Sequence, residues 1–222
     1  RDPIAHPDQL QDSPLGRIPK EWRATTLGAL LALVYRYPTY SGIKYVAKGV
    51  PEIRGELLEN GGTLNANLSA YRYISEETAA QFPKVRLDEN DIVMSVRGTL
   101  GKLALVPAHL KGAVITANLI RLHLDKEQVE AEWLIQVMRS EQFQQSLLNN
   151  ASATTIQTIQ VPQIESISLL LPPKPEQRNV LRVLCCFDNQ LKDETLILAK
   201  LGLLKSGLMT DLLTGRVRLP DK

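Results

Sequence analysis

The stretch Gly98-Thr99-Leu100-Gly101-Lys102 comes closest to a phosphate-binding loop. Such a loop cradles phosphates with backbone N–H groups and needs Gly-x-x-x-x-Gly-Lys followed by Ser or Thr. The chain has Val96 and Leu103 where Gly and Ser or Thr are required. The stretch therefore reads as a tight turn between two strands, in which glycine supplies unusual backbone angles. Leu171-Pro172-Pro173-Lys174 approaches the amino-methyltransferase tetrapeptide (Asn or Asp, Pro, Pro, aromatic) and fails at both outer positions. His6, His109 and His123 show no metal-ligand spacing, and His123 reads as structural. Cys185 and Cys186 are adjacent. They cannot easily bridge each other and read as small core residues, not as a nucleophile. No carboxylate pair has a nuclease spacing. The expectation is a chain with no catalytic residues, no metal site and no cofactor.

A second chemistry is spread along the first half. Residues 17–121 carry 14 Lys and Arg against 9 Asp and Glu, whereas residues 122–175 carry 3 against 6. All six tyrosines, Tyr35, Tyr37, Tyr40, Tyr45, Tyr71 and Tyr73, lie in the basic stretch. Arg and Lys serve phosphates and guanine edges, and Tyr serves phosphates and bases. The same composition also suits a solvated loop with ordinary tyrosines. The net charge of +2 excludes a bulk polycation, so any nucleic-acid contact is a local patch.

The elements that must position these residues follow from pattern. At 222 residues, 44% hydrophobic and 23% charged, the chain is globular and sized for one domain plus an appendage. With 5% aromatics, its core is mainly Leu, Ile, Val and Ala. The lack of a disulfide framework points to a reducing cytoplasm. No apolar run reaches the roughly 18–20 residues of a membrane span. No signal peptide is evident, and a start at Arg1 suits a piece of a longer product. Residues 1–21 read as an irregular, Pro-rich lead-in. Strands are predicted at 92–97, 102–106, 120–124 and 164–171, and one helix at 127–149.

From Glu176 to Leu213 the texture changes. Val180, Leu184, Phe187, Leu191, Glu194, Leu198, Leu201, Lys205, Leu208 and Leu212 follow a 4-3 alternation, and eight of the ten are apolar. A helix of this length, roughly 57 Å, is also apolar off the seam at Leu181, Ile197, Leu203, Leu204, Met209 and Leu213. It needs a partner surface. A core helix docked on its own domain is the plainer alternative. Gly215 is placed as the C-terminal stop.

Three stretches together carry a family resemblance. The first is Ser13-Pro14-Leu15-Gly16-Arg17-Ile18-Pro19-Lys20-Glu21-Trp22. The second comprises Val50-Pro51-Glu52-Ile53-Arg54-Gly55, Tyr73-Ile74-Ser75, Asn90-Asp91-Ile92-Val93 and Arg97-Gly98-Thr99-Leu100-Gly101. The third is Leu171-Pro172-Pro173-Lys174-Pro175-Glu176-Gln177 with the run from Lys205 to Arg218. Over nearly its whole length the chain resembles the specificity subunit of type I restriction–modification systems. The resemblance implies an α+β fold: a lead-in (1–21), a mixed α/β target recognition domain (22–175), a long coiled-coil helix (176–213) and a tail (214–222). It also implies a non-catalytic subunit that reads double-stranded DNA and docks methyltransferase subunits, with a restriction–translocase subunit joining for cleavage. Family members usually have two recognition domains and two antiparallel helices. This chain has one of each, so it resembles half a subunit.

Under that resemblance, the Tyr-rich stretch and the turn are best placed to enter a groove. The DNA-contact candidates are Arg36, Tyr37, Tyr40, Lys44, Tyr45, Arg54, Arg72, Arg97, Thr99 and Lys102, with Asn65, Asn67 and Asn118 for adenine edges. Arg54 and Arg97 suit buried ion pairs equally well. The helix-pairing candidates are Val180, Leu184, Phe187, Leu191, Leu198, Leu201, Leu208 and Leu212, through which two copies would self-associate. The alternatives are a recognition fragment of a fused methyltransferase or nuclease, and a coiled-coil interaction module that binds no DNA.

Overall fold

The computed structural model describes residues 9–36, 43–151 and 158–219. The chain forms two compact units, residues 1–178 and 179–222. The first unit opens with β1 (Leu10–Ser13), β2 (Gly16–Pro19), β3 (Arg23–Thr26), β4 (Leu31–Arg36), β5 (Tyr45–Val46), β6 (Val50–Ile53) and β7 (Arg72–Ile74). It continues with α1 (Glu76–Ala80), β8 (Ile92–Ser95), β9 (Leu103–Leu105), β10 (Val114–Ile115), β11 (Leu119–Leu124), α2 (Ala131–Arg139), α3 (Glu141–Asn150), α4 (Val161–Glu165) and β12 (Ser168–Leu171). The long helix α5 (Lys174–Leu213) begins in this unit and fills most of the second.

Two four-stranded sheets dominate, in the orders β10-β6-β7-β5 and β4-β11-β8-β9. The β10–β6 pair is parallel and the other pairs are antiparallel. Two further pairs, β1–β2 and β12–β3, stand apart from them. One core joins the two large sheets: Val50, Ile53 and Ile74 pack in a single cluster with Val93, Ala104 and Leu119. Helix α2 packs against β9. The fold is thus α+β with a long C-terminal helix, as expected.

β11 is central and buries both faces, so it reads as a near-continuous apolar run. Arg121 and His123 are its polar exceptions. The Arg121 guanidinium donates from Nε to Asp91 (2.7 Å), from Nη2 to Asp88 (2.9 Å) and from Nη1 to the Lys84 carbonyl (3.1 Å). Asp91 also accepts the Asp88 N–H (2.7 Å) and lies 2.6 Å from His123 Nδ1. The side chains of Asp88, Asp91 and His123 could together surround a cation, but Arg121 already supplies the positive charge at both carboxylates. His123 is a member of this ion-pair network.

Five sequence expectations change. The lead-in expected to be irregular holds the antiparallel β1–β2 pair, with Ser13 opposite Gly16 across a two-residue turn. Cys185 and Cys186, expected as small core residues, are exposed on α5, where no packed neighbour among the described residues covers that stretch of the helix. The helix predicted over 127–149 is two helices, α2 and α3. Ser140 between them is extended (φ −61°, ψ 147°), and its Oγ accepts the Phe143 N–H at 3.3 Å. A capping hydroxyl satisfies a free N–H and starts a new helix where apolar spacing suggested continuity. The strand predicted from Ile164 begins only at Ser168. Ile164 belongs to α4, whose start is fixed by Gln163 Oε1 accepting the Gln160 N–H at 2.8 Å. Helix α5 begins two residues before Glu176. Pro175 is tolerated because a first-turn N–H has no intrahelical acceptor.

The root of α5 is tied down within the first unit. Gln177 is fully buried; its Nε2 donates to the Pro172 carbonyl (2.9 Å) and its Oε1 accepts the Glu130 N–H (2.9 Å). Glu176 accepts the Trp22 indole N–H at 3.0 Å, and Arg178 donates to Glu130 at 2.9 Å. The run Pro-Pro-Lys-Pro-Glu-Gln therefore has a structural basis. In the second unit, the seam and off-seam side chains from Leu184 to Leu213 are exposed, and Val180 and Leu181 are half-buried. The helix ends as predicted. Gly215 takes φ +71°, its N–H donates to the Leu212 carbonyl, and the Val217 N–H reaches Asp211. Among the described residues no helix is long and apolar enough to cross a membrane.

Candidate nucleic-acid interface

The contact candidates fall into two groups on the first unit. One surrounds the β5 edge of the β10-β6-β7-β5 sheet. Lys44 and Tyr45 are exposed there, and the Arg72 guanidinium lies 5.7 Å from the centre of the Tyr45 ring. Tyr45, Val46, Ser69, Arg72 and Tyr73 line a shallow depression. The loop beside it builds itself from its own side chains. Asn65 Oδ1 accepts the Asn67 N–H (2.8 Å), and Asn67 Oδ1 accepts from Ser69 N–H (3.1 Å) and Oγ (2.7 Å). These amide oxygens serve turns, the usual local role of Asn. Tyr71 is buried and donates to the Asn65 carbonyl at 2.7 Å. Arg54 donates to the Ala70 carbonyl (2.8 Å) and pairs with Glu56, so its charge braces the loop.

The second group lies at the β8–β9 turn and the neighbouring end of β4. Gly98 (φ +80°) and Gly101 (φ +76°) shape the turn. Ser95 Oγ donates to the Thr99 carbonyl (2.5 Å) and accepts the Lys102 N–H (2.9 Å). Gln144 of α3 donates to the Gly101 carbonyl at 3.2 Å, and a Cβ on Gly101 would come within 2.3 Å of the Gln144 amide oxygen. This packing holds Arg97 and Thr99 outward, with Lys102 half-buried. Arg36 Nε points at the Ala117 carbonyl (3.4 Å), next to exposed Asn118. Tyr37 and Tyr40 lie outside the described residues.

Sequence reasoning missed Glu52. It is 1% exposed, opposite Arg72 across the β6–β7 pair, and the Tyr45 hydroxyl is 3.4 and 3.5 Å from its two oxygens. The signal was a carboxylate two residues from Val50 on one face of a strand, which alternation turns into the core. Burial pushes the Glu52 carboxyl above its ordinary value, opposed by the Tyr45 hydroxyl and the charges of Arg54 and Arg72. A carboxyl raised in the folded state holds its proton longer than in the unfolded chain. Stability is therefore lost as pH rises from the usual carboxylate range through the folded value. Glu52→Gln is expected to remove this loss, narrowing the gap between unfolding midpoints at pH 5 and pH 8. An unchanged gap would contradict the burial argument.

Comparison with known proteins places this geometry. Residues 19–201 match the family model for the type I restriction modification DNA specificity domain. The chain belongs to that family. The expectation of a non-catalytic chain agrees with a match to a specificity domain. The chain is similar to the type I restriction enzyme MjaVIII specificity subunit of Methanocaldococcus jannaschii, 23% identical over 96% of this chain and 50% of the relative. The putative MjaX specificity subunit of the same organism is 24% identical over 93% of this chain and 49% of its own length. Among solved structures, the HsdS subunit from Thermoanaerobacter tengcongensis superposes with a TM-score of 0.67 at 15% identity, covering 96% of this chain and 53% of that one. This specificity-domain chain thus spans about half the length of these relatives.

Proposed function

We propose that this chain reads one half of a split DNA target and docks methyltransferase subunits through its helical region, itself carrying out no catalysis. The observation that carries the reading is the family match, which runs from β2 through most of α5. The exposed cations Lys44, Arg72 and Arg97 support it, since each leaves a positive charge open on the surface of the first unit. The exposed seam of α5 supports pairing of two copies. A two-fold pair of readers suits a palindromic split site. A restriction–translocase subunit would complete the assembly, and the cytoplasm is the compartment that holds its DNA substrate.

Co-expression with the cognate methyltransferase subunits, followed by mapping of methylated positions, tests this function. A split, symmetric methylated site is the expected result; no site-specific methylation would overturn it. Phosphate contacts have their own signature. Lys44→Ala and Lys102→Ala are each expected to weaken binding to all sequences and to lower the magnitude of the log K against log salt slope by about 1. Binding titrations across a salt series measure it, and an unchanged slope removes the residue from the phosphate set.

A further inference from the structure

We propose that Arg72 reads the major-groove edge of a guanine, with Tyr45 as its stacking platform and Glu52 as the residue that positions both. The inference rests on the DNA-reading function proposed above and assigns a base class to one part of that surface.

The register places the three side chains together. Glu52 pairs with Arg72 across β6–β7, and Tyr45 pairs with Ile74 across β5–β7. Residues 72 and 74 share a strand face, and paired residues share a face, so Glu52, Arg72 and Tyr45 project to the same side. The Arg72 guanidinium lies over the Tyr45 ring at 5.7 Å, within cation–π range. The ring is tied at its far end, where the hydroxyl meets the buried Glu52 carboxylate. Glu52 thus fixes the platform and places a negative charge on the side of the sheet from which Arg72 extends.

Other arginines of the first unit are held by carboxylates or backbone carbonyls. Arg54 holds Ala70 and Glu56, Arg121 holds Asp88 and Asp91, Arg86 holds Glu76, and Arg178 holds Glu130. Among the described residues, Arg72 is exposed and its N–H groups meet no hydrogen-bond acceptor. What is left is a planar guanidinium fork resting over the Tyr45 ring. A phosphate accepts from many directions and gains little from a fixed plane. Guanine presents O6 and N7 side by side in one plane, the acceptor pair an oriented guanidinium matches.

The test uses the full chain with its methyltransferase partner on the duplex mapped by methylation, with each guanine replaced in turn by 7-deazaguanine. This base lacks the N7 acceptor and keeps the phosphate and the base pair. At one guanine the replacement is expected to weaken wild-type binding by roughly 5- to 150-fold, the span of a bidentate base contact. Arg72→Ala is expected to lose a similar factor on the unmodified duplex and to show no further loss on the modified one. Tyr45→Phe and Glu52→Gln are expected to shrink the 7-deazaguanine penalty at that same position while leaving the salt slope unchanged, which a general loss of folding would not do. The proposal is overturned if Arg72→Ala still shows the full penalty at every guanine, if the target half contains no guanine, or if Arg72→Ala weakens all sequences equally with a shallower salt slope. The last result marks a phosphate contact. If the wild-type assembly shows no sequence-specific binding, the DNA-reading function itself fails.

Discussion

Arg121→Ala is expected to destabilise the first unit by about 3–5 kcal/mol, the cost of breaking a buried ion pair from one side. Asp91 is 1% exposed, so water cannot replace the lost guanidinium. After the substitution its carboxylate retains the Asp88 N–H and His123, while Asp88 and the Lys84 carbonyl each lose a donor. Urea unfolding checks the size of the effect, with the m value expected to stay near wild type. The thermal midpoint should fall by roughly 10 °C for a chain of this size. Replacing Arg121 and Asp91 together with Met and Leu should cost less than Arg121→Ala alone, because the fully buried Asp91 carboxylate is then not left without its guanidinium. A loss below about 1 kcal/mol for Arg121→Ala would show that the network contributes little to stability.

The second large effect is on assembly. Leu191→Glu combined with Leu198→Glu is expected to abolish self-association through α5. These side chains are 64% and 71% exposed, so the substitutions remove no packing from the recognition unit. In a pair of helices each would be buried. A fully buried Leu contributes about 1.5–3 kcal/mol, and a two-fold pair contains four of them. Sedimentation at micromolar concentration should find a dimer for the wild type and a monomer for the variant, with unchanged urea unfolding of the first unit. A monomeric wild type would sink the pairing proposal.

These cases mark what the sequence made legible. The 4-3 spacing from Val180 to Leu212 identified α5 almost to the residue, because helical periodicity is local and Pro172-Pro173 and Gly215 punctuate its ends. The runs at 92–97, 102–106 and 120–124 were found for the same reason. Ser140 was missed because a capping hydroxyl is visible only once the backbone leaves the helix. Among the DNA candidates, residue type alone could not separate Arg54, which braces a loop, from Arg72, which lies open on a ring. Their difference arises from segments around 45, 52 and 70 meeting in space. Glu52 was overlooked for the same reason: its partner is set by strand register. Asn65 and Asn67 looked like base readers by type, yet their oxygens are used to shape their own turn.

The Asp88–Asp91–Arg121–His123 set, built around the buried Asp91–Arg121 pair, has a consequence for how such a protein diversifies. Its charges are met from within, on β11 and the loop ahead of β8. The outward cations at 44, 72 and 97 are therefore released from structural duty. Exposed substitutions away from such features usually change stability by less than about 0.5 kcal/mol. A lineage could rewrite those letters repeatedly, acquiring new targets while the same internal ion pairs keep the chain foldable. Evolvability here resides in the separation between a charge set that is locked and one that is left free.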